Sequence, residues 1–115
     1  MNPVPVLAGI LIIAFGVLGA AKVAAVPAMR TRAHHVGYTV AAYRRIGTLE
    51  LLGAAGLLVG AAFPLVGAAA GIGLLLLLGG AVIVHVRNGD GARELAPSLV
   101  LGLVALAFVA LVLGQ

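Results

Sequence analysis

Hydrophobic residues in this chain neither alternate nor recur with the spacing of a soluble amphipathic helix. They fall in four long, nearly unbroken runs, at about residues 4–21, 46–62, 65–86 and 95–113, separated by short polar segments. At about 1.5 Å of rise per residue, roughly 20 residues cross the hydrocarbon of a bilayer. Backbone polar groups in lipid must be satisfied within each segment, so runs of this kind predict helices. The pattern predicts an all-α fold: one integral membrane domain over residues 1–115, a four-helix bundle. The apolar character of the first run continues past Lys22 to Met29. That run has no cationic segment before it and exceeds the apolar stretch of a signal peptide, so it reads as a first membrane helix, not a cleaved signal. The Phe63-Pro64 junction is short enough to predict a tight antiparallel hairpin between the second and third helices.

The polar connector RTRAHHVGYTVAA-Tyr43, residues 30–43, has the length of a short interfacial helix. Its two tyrosines suit the headgroup level, where a ring is half wet. It reads either as a surface segment in contact with lipid or as a lid over a site.

Composition turns this pattern into a class. The chain is 63% hydrophobic and 9% charged, with mean hydropathy +1.27 and 17 glycines among 115 residues. A soluble domain of this size keeps most of its residues near its boundary and has no interior for so much apolar surface. Cysteine is absent, which excludes disulfides, thiolate metal sites and thiol redox chemistry. Six arginines against one lysine, with abundant Ala, Gly and Val, point to a bacterial source and so to the bacterial cytoplasmic membrane.

Charge placement sets direction. The formal charge of +4 raises the question of nucleic acid, but all seven cations lie in or beside two connections. Lys22, Arg30, Arg32, Arg44 and Arg45 fall between the first and second helices, and Arg87 and Arg93 between the third and fourth. The positive-inside rule predicts both connections in the cytoplasm and both termini outside, with no role in nucleic-acid binding. Packing is foreshadowed by Gly56/Gly60 and Gly67/Gly71, two G-x-x-x-G steps that allow helix backbones to approach.

Against this background Glu50 stands out, because an acid inside a membrane helix is costly and faces the bundle interior or a wet cavity. At 100° per residue its face includes Tyr43, Gly47, Ala54 and Leu57, and Gly47 would leave room beside the carboxylate for a small polar pocket. The alternative is a structural ion pair with Lys22, Arg44 or Arg45. His85 closes the third helix at the same membrane edge, and a Glu50–His85 couple would suit proton transfer. Counted from the hairpin, the two are offset by about 10 Å along the axis, so direct contact needs helix tilt or a water. Lys22, on a face with Phe15, Leu18 and Gly19, either snorkels to the headgroups or supplies the counter-charge to Glu50. Arg44, Arg45 and Arg87 suit lipid phosphate or topology control more than substrate binding. A metal set of His35, His85 and Glu50 lacks any tight ligand spacing, and adjacent His34 and His35 diverge on a helix, so no metal site is predicted.

The order of motifs resembles a known family. Lys22, then H-V-G-Y (residues 35–38), then Y-R-R-I-G-T-L-E (residues 43–50) and G-A-V-I-V-H-V-R-N-G-D (residues 80–90) are similar to the DoxX-like family of small four-helix membrane proteins, over nearly the whole chain. The resemblance implies a four-helix bundle and a lipophilic small molecule, such as a quinone, met within the membrane by polar residues. The positions matching the family's polar pattern are Lys22, Tyr43, Arg44, Glu50, His85 and Arg87.

Several functions remain open at this level. One is a quinone-binding membrane subunit beside a soluble oxidoreductase, with Glu50 exchanging a proton, His85 assisting, and Lys22 or Arg44 stabilising an oxyanion. In another, the same residues serve an isomerase or cyclase acting on a lipophilic substrate. A small proton-coupled exporter and a structural or assembly subunit without chemistry are the alternatives, and a homodimer is compatible with each.

Overall fold

The computed structural model describes residues 2–115. Five helices follow in order: α1 (Val4–Val23), α2 (Pro27–His35), α3 (Val40–Val59), α4 (Pro64–Arg87) and α5 (Ala92–Leu113). There is no strand among the described residues. α2 is the expected connector helix, and it begins before the stretch that suggested it.

Helix ends depart from the apolar runs where local hydrogen bonding overrides hydropathy. α1 ends at Val23, close to the expected end of the first span, although apolar residues continue to Met29. Ala25 adopts a left-handed φ of 53°, and the Val26 N–H turns back to the Ala21 carbonyl at 3.2 Å. This stop costs roughly 1 kcal/mol with alanine in place of glycine, and Pro27, preset for a first helical turn, then starts α2. α3 begins at residue 40, not 46, because Thr39 caps it: its Oγ1 accepts the Ala42 N–H at 3.0 Å. Tyr43, Arg44 and Arg45 are therefore helical. α5 begins at residue 92, not 95, where the Glu94 carboxylate accepts the Gly91 N–H at 3.0 Å.

The four long helices close into a ring of neighbours, α1 against α3, α3 against α4, α4 against α5 and α5 against α1, with α2 laid beside α1 and α3. Leu11 and Phe15 of α1, Ala54 and Leu57 of α3, Leu74 and Leu78 of α4, and Ala105 and Phe108 of α5 make the shared core. The glycine steps act as seams. A Cβ on Gly60 would lie 2.5 Å from the Gly67 Cα, so the two G-x-x-x-G steps meet at the α3–α4 hairpin, while one on Gly71 would meet Val109 and Phe108 of α5. Close approach of this kind is how membrane helices gain contact without a hydrophobic driving force.

The exterior is more apolar than a soluble protein tolerates. Ile13 is 70% exposed, Leu52 63%, Leu76 73% and Leu103 68%, one from each long helix. Apolar surface of this extent suits contact with lipid. α1, α4 and α5 are long and apolar enough to cross a membrane. α3 matches α1 in length, at 20 residues, but carries Arg44, Arg45 and Glu50 and is not among them. The two cation-bearing connections lie at one end of the molecule, where His35 of α2 bonds Asp90 of the α4–α5 turn.

Candidate functional site

The polar centre of the bundle forms where α1 crosses α3. Leu11, Phe15, Gly19 and Lys22 are the buried face of α1, and Gly47, Glu50, Ala54 and Leu57 that of α3, each at helical spacing. The crossing is tight because both contact points are glycines. A Cβ on Gly19 would lie 2.8 Å from the Gly47 carbonyl oxygen, and one on Gly47 would lie 2.5 Å from the Lys22 Cβ. The space expected beside Glu50 is thus filled by the Lys22 stem, and Gly47 serves close approach instead of a pocket.

That approach delivers Lys22 to Glu50. Nζ lies 2.7 Å from Oε1, and the residues are only 8% and 4% exposed. Lys22 does not snorkel; it supplies the counter-charge. The contact is a buried ion pair at hydrogen-bond distance, and it occupies Oε1. On the other side, Nζ stands 5.2 Å from the centre of the half-buried Tyr43 ring, within reach of a cation–π attraction. Tyr38 meets Tyr43 edge to face, with centroids 6.5 Å apart. Lys22, Tyr43 and Glu50 are therefore one cluster.

His85 belongs to a second cluster. α4 ends with Gly89 in the left-handed region at φ 75°, and the chain folds back so that the Asp90 N–H reaches the His85 carbonyl at 2.9 Å and the Gly89 N–H that of Val86 at 3.1 Å. This paired closure sets Asp90 over the last turn of its own helix. Its Oδ2 meets His85 Nδ1 at 2.6 Å, its Oδ1 meets His35 Nε2 at 2.8 Å, and the Asn88 amide donates to Oδ1 and to the His35 carbonyl, both at 3.2 Å. The hydrogen bond from His85 holds the Asp90 carboxyl below its usual range against the opposing effect of burial, and His35 and Asn88 add to it. The result is a latch tying α2 to the α4–α5 turn.

The expected Glu50–His85 couple is not what these contacts show: Glu50 pairs with Lys22, His85 with Asp90, and no hydrogen bond or ion pair joins the first two among the described residues. His35 and His85 do converge, but on a carboxylate and not with Glu50. Among the described residues no group of three His, Asp or Glu has metal-holding geometry. Arg44 and Arg87 are exposed and lie in no ion pair. Asp90 and Asn88 are site residues that the helical pattern did not single out. Their signal was the Asn-Gly-Asp stop after His85, since a glycine just past a helix end turns the following side chain back onto the last turn.

Two open clefts mark the surface. An apolar one of about 450 Å³ runs between α3 and α4, lined by Leu49, Leu52, Gly53, Ala70, Gly73, Leu76 and Leu77. A polar one of about 640 Å³ lies between α2 and the start of α3. Neither is lined by Glu50 or His85.

A family model described as the DoxX-like family matches residues 6–108. No curated protein and no solved structure gives a significant match.

Proposed function

The chain belongs to the DoxX-like family, and from that premise we propose that it binds a lipophilic molecule with a quinone-like polar head inside the membrane, at Glu50, Lys22 and Tyr43. In this reading α3 is a fourth span, with Arg44 and Arg45 at its headgroup edge. The cation-rich end faces the cytoplasm of a bacterium, by the positive-inside rule.

One observation carries the proposal. A carboxylate 4% exposed and an ammonium 8% exposed are held together inside an apolar bundle, with the Tyr43 ring beside them. Ionisable groups inside a membrane bundle are costly and commonly mark a place where a polar ligand or a proton is met. Lys22 and the Tyr43 hydroxyl are the groups that would hold a carbonyl oxygen, and Glu50 would take or return a proton there. An apolar tail has a groove available on the lipid side of the same helix, where Leu49 and Gly53 flank Glu50 in sequence. A quinone would bring two-electron, two-proton chemistry. With no cysteine in the chain, electrons would come from a soluble oxidoreductase partner. Proton exchange is assigned to Glu50 alone, since His85 is engaged by Asp90.

A structural or assembly role is the second reading, favoured by the 2.7 Å contact that already neutralises Glu50. The two separate in a binding measurement on purified protein in nanodiscs, using a short-chain quinone and calorimetry. Replacing the pair together, Lys22→Met with Glu50→Leu, keeps the core apolar and filled. The proposal expects quinone affinity to fall by about tenfold or more, the loss of a charge-assisted hydrogen bond, with thermal stability preserved. Equal affinity in both proteins, or none in the wild type, leaves the structural role.

A further inference from the structure

The cations of this chain greatly outnumber the acids that could neutralise them at the α2 end. There are three acidic residues in all, and each is engaged elsewhere. Glu50 pairs with Lys22, Asp90 with His35 and His85, and Glu94 caps α5. Among the described residues no arginine lies in an ion pair. The polar cleft between α2 and α3 collects part of this uncompensated charge. It is lined by Arg30, Thr31, His34, Tyr38, Thr39 and Val40, and no acid borders it.

Its walls follow from the local sequence. α2 buries Met29 and Ala33 on one face, so Thr31 points away from it, with Arg30 and His34, one turn apart, on its flank. Gly37, at φ 76°, reverses the chain after α2 and brings Tyr38 and Thr39 to the far wall. The donors there are held and free. Arg30 gives its Nε to the Ala25 carbonyl at 2.8 Å, which fixes the guanidinium and leaves both Nη groups without a protein partner among the described residues. The ring of His34 and the hydroxyl of Tyr38 likewise make no hydrogen bond there. A guanidinium held through Nε presents a two-pronged fork of the kind that binds phosphate oxygens. The first amides of α3 add weak positive character at the same place.

We propose that this cleft is a binding site for a phosphate group, with Arg30 as its bidentate donor and His34 and Tyr38 as supporting donors. It lies at the cation-rich end of a membrane protein, where the abundant source of such a group is an anionic lipid headgroup; free phosphate shares the chemistry. The proposal does not depend on Glu50 or on quinone binding.

The test uses the full chain in neutral detergent, offered equal amounts of phosphatidylglycerol and phosphatidylcholine, with retained lipid read by native mass spectrometry. Wild type should retain phosphatidylglycerol preferentially. Arg30→Ala should lower that preference roughly fivefold, the weight of one cation near a lipid surface. His34→Ala, which breaks no hydrogen bond or ion pair among the described residues, should lower it roughly twofold or more, so the test stands even if Arg30→Ala disturbs the turn at Ala25. Arg93→Ala, outside the cleft, should leave it unchanged. Millimolar inorganic phosphate distinguishes the sources. If it displaces the lipid, and loses that effect in His34→Ala, the site takes free phosphate as well; if it does not displace it, the site is specific to the headgroup. Unchanged preference in both cleft variants, or equal loss in Arg93→Ala, would overturn the proposal.

Discussion

Removing the charge of Lys22 while keeping its stem, by Lys22→Met, should destabilise the protein far more than an ordinary substitution. Nζ and Oε1 are 2.7 Å apart, and both residues are more than nine-tenths buried. At an effective dielectric of about 20, charges at that distance attract by ~6 kcal/mol. The cost of burying both ions offsets much of this in the intact pair. In the variant the attraction is gone, while Glu50 stays in the bundle unpaired or must take up a proton. Breaking a buried pair from one side costs about 3–5 kcal/mol. Replacing both partners, Lys22→Met with Glu50→Leu, removes the desolvation cost as well and should return stability to within about 1 kcal/mol of wild type. The assay is a double-mutant cycle, with Glu50→Leu as the third corner, read by reversible unfolding of purified protein in mixed micelles. Strong non-additivity is the expected result, because each single variant strands a charge and the double variant strands none. Should Lys22→Met cost less than about 1 kcal/mol, with the two single effects simply summing, the pair is wet or mobile, and the buried cluster described above is wrong.

Two further outcomes follow from the packing and the latch. Gly47→Ala should destabilise by about 1–3 kcal/mol, because its Cβ would press on the Lys22 Cβ and the Gly19 carbonyl and force α1 from α3. Gly79→Ala, with open space around its Cβ, should be neutral or stabilise by up to about 1 kcal/mol; equal effects in thermal unfolding would contradict the seam. The lowered Asp90 carboxyl implies acid sensitivity. A carboxyl held below its unfolded value contributes stability that is complete above that value, about 3.9, and is lost as pH falls through the folded value. Melting temperature should therefore fall more steeply below about pH 4 in wild type than in Asp90→Asn, and parallel curves would count against the latch.

How much of this was legible in the chain differs between the helices and the site. Long apolar runs set the helices, since hydropathy and backbone satisfaction act locally. The buried faces of α1 and α3 were also readable from helical spacing: Phe15, Gly19 and Lys22 on one, Gly47, Glu50, Ala54 and Leu57 on the other. The opening residue of α3 was not, because a hydropathy run is blind to the Thr39 hydroxyl that extends the helix through Arg44 and Arg45.

Partnership was decided only by the tertiary structure. Glu50 was placed by its helix on the buried face, yet nothing in one helix says which of several cations lies opposite. That choice rests on the relative height of α1 and α3, which the mutual contact of Gly19 and Gly47 sets at the point where Lys22 falls beside the acid. His85 went to Asp90 for a similar reason. A left-handed glycine turned the chain back by one helical turn, and the bond to His35 then drew in a residue 55 positions away. Which face a side chain occupies follows from the period of its own helix. Which group it meets follows from the register between helices, and that register is fixed by close backbone contact, a property of two segments together and of neither alone.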